Sequence, residues 1–372
     1  MSLFECKLVR TVDDSYDIEI GRDLSDKLVS EISEGKFGRI RKFAVITDTN
    51  VMPLYAQNIV DKLRDNGFYA ELFCFEAGEK SKTRDVKACI EDSMLGCGFR
   101  RDCMIVAVGG GVVSDLAGFV AGTFGRGVPF VIYSTTLLSA ADASIGGKTA
   151  VDTPLATNLI GLFNQPKKVY IDINTWRTLT KRDVSCGMAE TVKHALIADE
   201  EFFCYLEENI EKAMELDEKT CEHIAHTNCR IKYEVVMKDE RESSLREILN
   251  LGHTVGRAVE TVSNYKLLHG EAVSIGLVAA AKLSQSLGFV TNEQVKRLEK
   301  LLIRANLPTV IPEYIDKKEL VKKLYTDKKV KDGKLRFVLQ KGRGDVFYSD
   351  EDGAGYARPT TEKEIEEIIE RM

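Results

Sequence analysis

The stretch CMIVAVGGGVVSD, residues 103–115, decides the fold of this chain. Its first six residues form a continuous apolar run, which is typical of a strand buried on both faces of a sheet. Three glycines follow, and the apolar segment Leu116–Ala121 then has helical character. A strand, a glycine turn and a helix in this order bring backbone N–H groups to the positive end of a helix, where a phosphate binds well.

The spacing of the glycines leaves the ligand of this turn open. Gly109 and Gly111 match the start of the dinucleotide-binding fingerprint, but Ser114 stands where its third glycine would be. The turn also does not follow the first strand of the chain, as that fingerprint would require. A dinucleotide pyrophosphate is one natural ligand, and a purely structural turn is an equally good interpretation.

A second glycine motif, Gly146-Gly147-Lys148-Thr149, resembles the end of a nucleoside-triphosphate loop. The complete motif needs a glycine five residues before Gly147, and Asp142 occupies that position. We therefore reject a triphosphate-binding loop here. Lys148 remains a candidate contact for a phosphate or another part of a substrate.

Strand-like and helical segments alternate through the first half of the chain. Further strands are predicted at Phe43–Thr47, Ala70–Phe75, Pro129–Tyr133 and Lys168–Ile173. This alternation predicts a parallel sheet with helices on both faces. Helical periodicity dominates after Lys181, with predicted helices that include Glu247–Ser263. We predict a Rossmann-like α/β domain at residues 1–180 and an all-α domain at residues 181–372.

Composition excludes several classes of protein. The 372 residues carry a net charge of −6, which disfavours a general nucleic-acid or anionic-membrane binder. No apolar run reaches the roughly 18–20 residues of a membrane span, and the N-terminus lacks the pattern of a signal peptide. Nine scattered cysteines without a C-x-x-C pair indicate reduced thiols rather than a disulfide framework. We expect a cytoplasmic protein with no nucleic-acid or membrane partner.

Three groupings of the five histidines could bind a divalent metal, which prefers imidazole and carboxylate ligands. They are His223 with His226, Glu190 with His194, and His253 with His269. The first grouping fits a polar helix surface better than a metal site. The second places two ligands four residues apart on one helical face. The third places each histidine beside a glycine, and spacing alone does not decide between the last two.

Several motifs taken together resemble the 3-dehydroquinate synthases, which are sugar phosphate cyclases. They are GGGVVSDLAGFVAG, TTLLSAADASIGGKTAVDTP, NLIG, GMAETVK, DERE, LNLGHT and LHGEAV, in this order between about Phe43 and Gly344. The resemblance implies an α/β domain and a helical domain with the active site between them, and a homodimer. It also implies conversion of 3-deoxy-D-arabino-heptulosonate 7-phosphate to 3-dehydroquinate in the shikimate pathway, with bound NAD and one divalent metal, zinc or cobalt.

The resemblance assigns roles to individual residues. It implies metal ligation by Glu190, His253 and His269, and catalytic roles for Lys193, Lys148, Asp142, Asn250 and Arg257. Implied substrate contacts are Arg126, Asp142, Lys148, Asn158, Lys193, Lys232, Arg246, Asn250 and Lys334, with Arg126 reaching the partner subunit's phosphate site. Implied cofactor contacts are Asp48, Asn50, Glu79, Lys82, Gly110, Gly111, Val112, Val113, Ser114, Asp115, Thr135, Thr136, Lys148, Thr157, Thr175, Thr178 and Leu179.

Three positions depart from the family pattern. Arg257 replaces a histidine that the family uses for proton transfer, and arginine, which stays protonated, cannot act as a base. It can still stabilise an alkoxide or bind phosphate. Thr157 replaces a lysine near the cofactor and the substrate, and Ser114 replaces a glycine and would crowd the glycine turn slightly.

These departures keep other functions open. A sister cyclase would act on another heptulose or heptulosonate 7-phosphate. A catalytically silent paralogue would bind a ligand or partner as a regulator, although it would have no physical need for a complete set of metal ligands. A metal-dependent polyol dehydrogenase would keep the metal and the nicotinamide but not the lysine-rich phosphate pocket.

Overall fold

The computed structural model describes residues 7, 9, 11–325, 330–331, 334–351 and 354–372, with only the backbone at residues 330, 331 and 334. A six-stranded sheet forms the first half, and all its strand pairs are parallel. Its strands are β1 (Asp17–Gly21), β2 (Lys42–Asp48), β3 (Tyr69–Phe75), β4 (Cys103–Gly109), β5 (Phe130–Ser134) and β8 (Lys168–Asp172), in the spatial order β1-β8-β5-β4-β2-β3.

The central strand β4 is buried along its whole length. Met104, Val106 and Val108 pack into the core on one face of the sheet, while Ile105 and Ala107 belong to the core on the other face. Successive residues of a strand point to opposite faces, so this continuous apolar run needs a helical layer on each side. The helices of this half are α1 (Ser25–Ser33), α2 (Gln57–Asp65), α3 (Arg84–Gly96) and α4 (Gly111–Thr123).

Two strands of this half lie outside the main sheet. The antiparallel hairpin of β6 (Lys148–Thr153) and β7 (Ala156–Phe163) packs against α4. Neither strand of the hairpin was predicted from the sequence, and nor was β1. The hairpin matters for function because it carries Lys148, Thr157 and Asn158 along one side of a cavity.

The second half is mainly helical, although the all-α prediction did not include its small antiparallel sheet. Its helices are α5 (Lys181–Ala198), α6 (Glu200–Met214), α7 (Glu218–Lys238), α8 (His253–Val262), α9 (His269–Ser286), α10 (Asn292–Arg304), α11 (Lys317–Tyr325) and α12 (Glu362–Glu370). A small antiparallel sheet of β9 (Val330–Lys331), β10 (Lys334–Val338) and β11 (Ala357–Pro359) is also present. None of the described helices combines the length and apolar character needed to cross a lipid bilayer.

The predicted helix Glu247–Ser263 is wrong in one respect, because it is interrupted. A 3₁₀ turn occupies Leu245–Asn250, and α8 begins only at His253. Gly252 between them has φ 79°, a left-handed conformation that glycine adopts at little cost and that ends the preceding turn. The interruption makes His253 the first residue of a new helix.

Two glycines let α5, α8 and α9 approach one another closely. A Cβ atom on Gly276 of α9 would collide with the carbonyl oxygen of Gly252. A Cβ atom on Gly270 would collide with the backbone of Cys186 on α5. Because these contacts fix the three helices backbone against backbone, residues on them can converge on one point.

Candidate active site

A cavity of about 960 Å³ lies between the parallel sheet and the helical half. Its walls come from the start of α4, the β6–β7 hairpin, the segment before α8, and the first turns of α8 and α9. Described residues of both halves therefore face one space, which is where a site between two structural units is expected.

Glu190 of α5, His253 of α8 and His269 of α9 meet at one side of this cavity. One ligand atom from each residue lies within 4.8 Å of those of the other two. The Nε2 atoms of His253 and His269 lie 3.5 and 3.4 Å from the same oxygen, Oε1 of Glu190. Among the described residues this is the only group of three or more histidine, cysteine, aspartate or glutamate side chains with the spacing of metal ligands.

The outer hydrogen bonds of the two histidines turn Nε2 toward Glu190. Nδ1 of His253 lies 3.2 Å from the carbonyl oxygen of Leu251, and Nδ1 of His269 lies 3.3 Å from Oε2 of Glu260. A carbonyl and a carboxylate only accept hydrogen bonds, so each Nδ1 carries the proton. Burial lowers the pKa of His253 well below its usual value, which keeps its Nε2 lone pair available.

The carboxylate of Glu190 is fully buried, and neither of its oxygens has a described partner with hydrogen-bond geometry. Burial would raise its pKa, but Lys193 and His253 outweigh burial and lower the pKa. A buried carboxylate whose oxygens lack a partner with hydrogen-bond geometry, beside the Nε2 atoms of two histidines, is the donor set that a divalent cation such as zinc takes. The trio therefore fits a metal, with room on the cavity side for a further ligand.

His194 and the His223–His226 pair lie outside this group. The buried Nδ1 of His194 is 3.0 Å from Oδ1 of Asn228, whose amide donates to Thr191. His223 packs against the ring of Tyr205 at a centroid distance of 4.1 Å. The structure thus brings the third grouping together with Glu190, while His194 is buried outside this group and His223 and His226 are exposed on α7.

A cluster of buried charges adjoins the trio. Lys193 forms an ion pair with Glu190, and Lys232 forms one with Asp142. Burial would lower the pKa of Lys193, but Asp142 and Glu190 outweigh it and raise the pKa, so its ammonium stays charged. Burial lowers the pKa of Lys232 to about 8, against the opposing effect of Asp142. Both cations can stabilise negative charge on a bound substrate.

Two further predicted substrate residues share one acidic partner. Glu242 forms an ion pair with Lys148 and accepts a 2.7 Å hydrogen bond from the amide of Asn250. Arg246 lies deeper and is 1% exposed, with its guanidinium donating to the carbonyl oxygens of Gly146 and Glu240. Lys148, Asn250 and Arg246 therefore line one wall of the cavity together.

The predicted cofactor residues cluster at the carboxyl edge of the sheet. These residues lie at or just after the ends of four strands. They are Asp48 at β2, Gly110 and Gly111 after β4, Thr135 and Thr136 after β5, and Thr175, Thr178 and Leu179 after β8. In open parallel sheets this edge is where nucleotide ligands bind. A Cβ atom on Gly110 would lie 3.1 Å from Cγ2 of Thr136, so glycine leaves a backbone cradle at the start of α4.

Lys82 connects this edge to the cavity. Its buried ammonium lies 2.7 Å from Oδ2 of Asp115, 3.3 Å from Oε1 of Glu79 and 2.6 Å from the amide oxygen of Asn158. Ser114, which was expected to crowd the glycine turn slightly, is buried against it. Its hydroxyl donates a 3.1 Å hydrogen bond to the carbonyl of Gly110 within α4, because a serine in a helix can bond back one turn.

Comparisons with known proteins agree with this geometry. The N-terminal profile of 3-dehydroquinate synthase matches residues 72–186, and its C-terminal profile matches residues 187–330. A 3-dehydroquinate synthase of Ruminiclostridium cellulolyticum is 42% identical over 335 residues, which cover 90% of this chain and 92% of that protein. The chain belongs to the 3-dehydroquinate synthase family. This confirms the resemblance that the sequence motifs indicated.

Two solved structures share the fold of this family member. A 2-deoxy-scyllo-inosose synthase complexed with carbaglucose-6-phosphate, NAD+ and Co2+ superposes with a TM-score of 0.87, at 24% identity over 96% of both chains. The 2-epi-5-epi-valiolone synthase of Streptomyces hygroscopicus subsp. jinggangensis 5008, with NAD+ and Zn2+ bound, gives a TM-score of 0.86, at 25% identity over 99% of both chains.

The predictions for two residues of the 3-dehydroquinate synthase site, Arg126 and Lys334, are not tested by the cavity of this chain. Arg126 lies exposed in a tight turn with φ 70°, and it does not line the cavity of its own chain. The side chain of Lys334 lies outside the described residues, so its predicted substrate contact stays a prediction.

Two residues of this synthase-family site were missed by the sequence reasoning. Glu242 belongs to the DERE motif, which was used for resemblance alone, so its contact with Lys148 was not foreseen. Glu260 lies seven residues after His253, which places both on one face of α8. That spacing was the signal that could have identified it as a partner of the metal trio.

Proposed function

We propose that this chain is a 3-dehydroquinate synthase that converts 3-deoxy-D-arabino-heptulosonate 7-phosphate to 3-dehydroquinate and phosphate. The overall change is transient oxidation, elimination of phosphate, re-reduction and intramolecular aldol closure. The single observation that carries the proposal is the convergence of Glu190, His253 and His269 on a cavity that also holds Lys148, Lys232 and Arg246. Identity of 42% to a curated synthase supports the same activity.

The residues of the cavity and of the sheet edge fit the two cofactors that this activity needs, a divalent metal and NAD. Glu190, His253 and His269 would hold one divalent metal, zinc or cobalt, and the carboxyl edge of the sheet would hold NAD. The residues proposed for NAD are the cofactor contacts named from the sequence, with Gly110 and Gly111 under its pyrophosphate. When bound, NAD accepts and returns a hydride, and the metal polarises hydroxyl groups of the substrate.

The chain's own residues bind and orient the substrate in this proposal. The substrate carries a carboxylate and a phosphate, and Lys148, Lys193, Lys232, Arg246 and Asn250 supply cations and an amide donor around the cavity. Lys193 keeps its charge between Asp142 and Glu190 and can stabilise negative charge on a substrate oxygen. Asp142 holds Lys232 through both its carboxylate and its backbone carbonyl. Enclosure between the two halves strengthens each of these contacts.

We place the boundary of the two domains near residue 180, where the last strand of the sheet gives way to α5. A cytoplasmic homodimer is part of the same proposal. The exposed Arg126 would reach the phosphate site of the partner subunit, which accounts for its position away from the cavity of its own chain.

The test is a phosphate-release assay with product identification by mass spectrometry. The purified protein, loaded with NAD+ and zinc or cobalt, should release phosphate from 3-deoxy-D-arabino-heptulosonate 7-phosphate and form 3-dehydroquinate. The variant His269→Ala should lose metal and activity together. Parallel assays with heptulose 7-phosphates and an aminated heptulosonate phosphate test whether the chain has the activity of a sister cyclase. This alternative stays open because Arg257 and Thr157 depart from the family pattern. No turnover with any of these substrates would overturn the proposal.

A further inference from the structure

The charges that line the cavity are balanced, with seven lysine or arginine and seven aspartate or glutamate side chains among its described residues. Because the sum is zero, the cavity as a whole offers no net attraction to an anion. A cation that no residue of the chain already neutralises would attract an anion without first giving up another partner.

All but one of these cations have a partner within the described part of the chain. Lys82, Lys148 and Lys232 form ion pairs with Asp115, Glu242 and Asp142. Arg241 pairs with Glu240, while Arg246 and Arg336 donate to backbone carbonyls. Each of these side chains would have to give up an existing contact to bind a ligand fully.

Arg257 is the exception. Its side chain is partly exposed, lines the cavity, and makes no hydrogen bond or ion pair with any described residue. It lies four residues after His253 on α8, so both side chains point from the same face of the helix. The free guanidinium therefore stands on the helical face that also carries a ligand of the metal trio.

We propose that Arg257 binds the phosphate group of the substrate directly. It also binds the inorganic phosphate that forms when this group is eliminated from the substrate. This inference rests on the proposed function, and it assigns Arg257 to anion binding rather than to proton transfer. A guanidinium presents planar paired donors that match the oxygens of a phosphate, and its charge is permanent. A phosphate near neutral pH carries more negative charge than a carboxylate, so it gains more from the one unpaired cation.

The proposal has a direct consequence for the enzyme. Inorganic phosphate is the leaving product, and it would bind to the same guanidinium. Phosphate should therefore compete with the substrate, and the loss of Arg257 should relieve that competition.

The test measures phosphate binding without turnover. Inorganic phosphate is titrated into the metal-free and NAD-free protein by calorimetry, for the wild type, Arg257→Gln, Arg257→Lys and Arg241→Gln. We expect Arg257→Gln to weaken phosphate binding by about tenfold or more, because a hydrogen-bonded charge is lost. Arg257→Lys should retain part of the affinity. The control Arg241→Gln removes the same charge from the same cavity and should change the affinity less than about twofold, because Arg241 already has a partner.

Several results would overturn the proposal. They are an absence of phosphate binding by the wild type, equal phosphate binding by the wild type and Arg257→Gln, or an equal loss in Arg241→Gln. A parallel titration with acetate completes the test. If Arg257→Gln weakens acetate binding but not phosphate binding, Arg257 holds the carboxylate end and the phosphate assignment is wrong. Failure of the proposed function would appear separately, as absent turnover in a protein that still binds phosphate through Arg257.

Discussion

Glu260 holds the proton on the outer nitrogen of His269, with Oε2 3.3 Å from Nδ1. The inner nitrogen of the same ring lies 3.4 Å from Glu190. Carboxylates that accept a hydrogen bond from a metal-binding histidine fix the orientation of the ring and raise the basicity of its free nitrogen. Glu260 therefore orients His269 for metal binding without being one of the three metal ligands.

We expect Glu260→Gln to weaken zinc binding by about 10- to 100-fold while leaving the fold intact, since the amide still fills the space but loses the charge. Competition for zinc with a chromophoric chelator measures the affinity. The matched control is Glu293→Gln, which removes an exposed carboxylate at the start of α10. Equal zinc affinity in the Glu260 variant and the wild type would show that the contact has no effect on the site.

The backbone contact between α8 and α9 gives a second prediction. Gly276→Ala places a Cβ atom against the carbonyl oxygen of Gly252, so the two helices must separate. We expect a loss of about 1–3 kcal/mol in the free energy of unfolding, together with weaker metal binding, because His253 directly follows Gly252. Urea unfolding and zinc titration measure the two effects. Gly96→Ala is the control, since its Cβ would meet no atom within 4 Å and stability should be nearly unchanged.

A buried carboxylate in the first half gives a pH-dependent prediction. Glu31 is 5% exposed and accepts hydrogen bonds from Lys168, Tyr170 and Lys36. Burial would raise its pKa, but these donors outweigh burial and lower the pKa from 4.5 to about 2. Because the folded state favours the charged form of Glu31, this carboxylate stabilises the fold above pH 4.5. The stabilisation is lost as the pH falls toward 2 and the carboxylate is protonated.

The wild type should therefore lose up to about 3 kcal/mol of unfolding free energy from this group as the pH falls from 5 to 2. Glu31→Gln should be less stable than the wild type at pH 6, and the difference should shrink with acidification. Urea unfolding at several pH values measures the difference. Glu34→Gln, at an exposed position of the same segment, should show no such trend. A stability difference that is constant with pH would contradict the assignment to Glu31.

The ion pair of Glu242 with Lys148 gives a fourth prediction. Glu242 neutralises Lys148 and accepts a hydrogen bond from Asn250, so both side chains are engaged before a ligand binds. We therefore expect Glu242→Gln to tighten the binding of inorganic phosphate to the metal-free protein by roughly three- to tenfold. Glu293→Gln removes the same charge at an exposed position outside the cavity and should have a smaller effect. Phosphate affinity that is unchanged by the Glu242 substitution would mean that Lys148 does not contact the anion.

The sequence predicted β4, the glycine turn and the start of α4 because their signal is local and strong. It missed β1 and the β6–β7 hairpin, whose strands mix polar and apolar residues and depend on their partners for pairing. It placed one helix across Gly252, because helical periodicity continues through a position where only the backbone angle breaks the helix. The choice among the histidine groupings needed either family motifs or tertiary contacts, since Glu190 and His253 are distant in sequence.

The three metal ligands lie on three separate helices that meet through glycine contacts. A cation bound there would act as a cross-link that closes the long stretch of chain between Glu190 and His269. Since the unfolded chain cannot offer the same arrangement, the occupancy of the site is thermodynamically linked to folding. The concentration of free metal would then set the resistance of the helical half to unfolding and proteolysis, in addition to its activity.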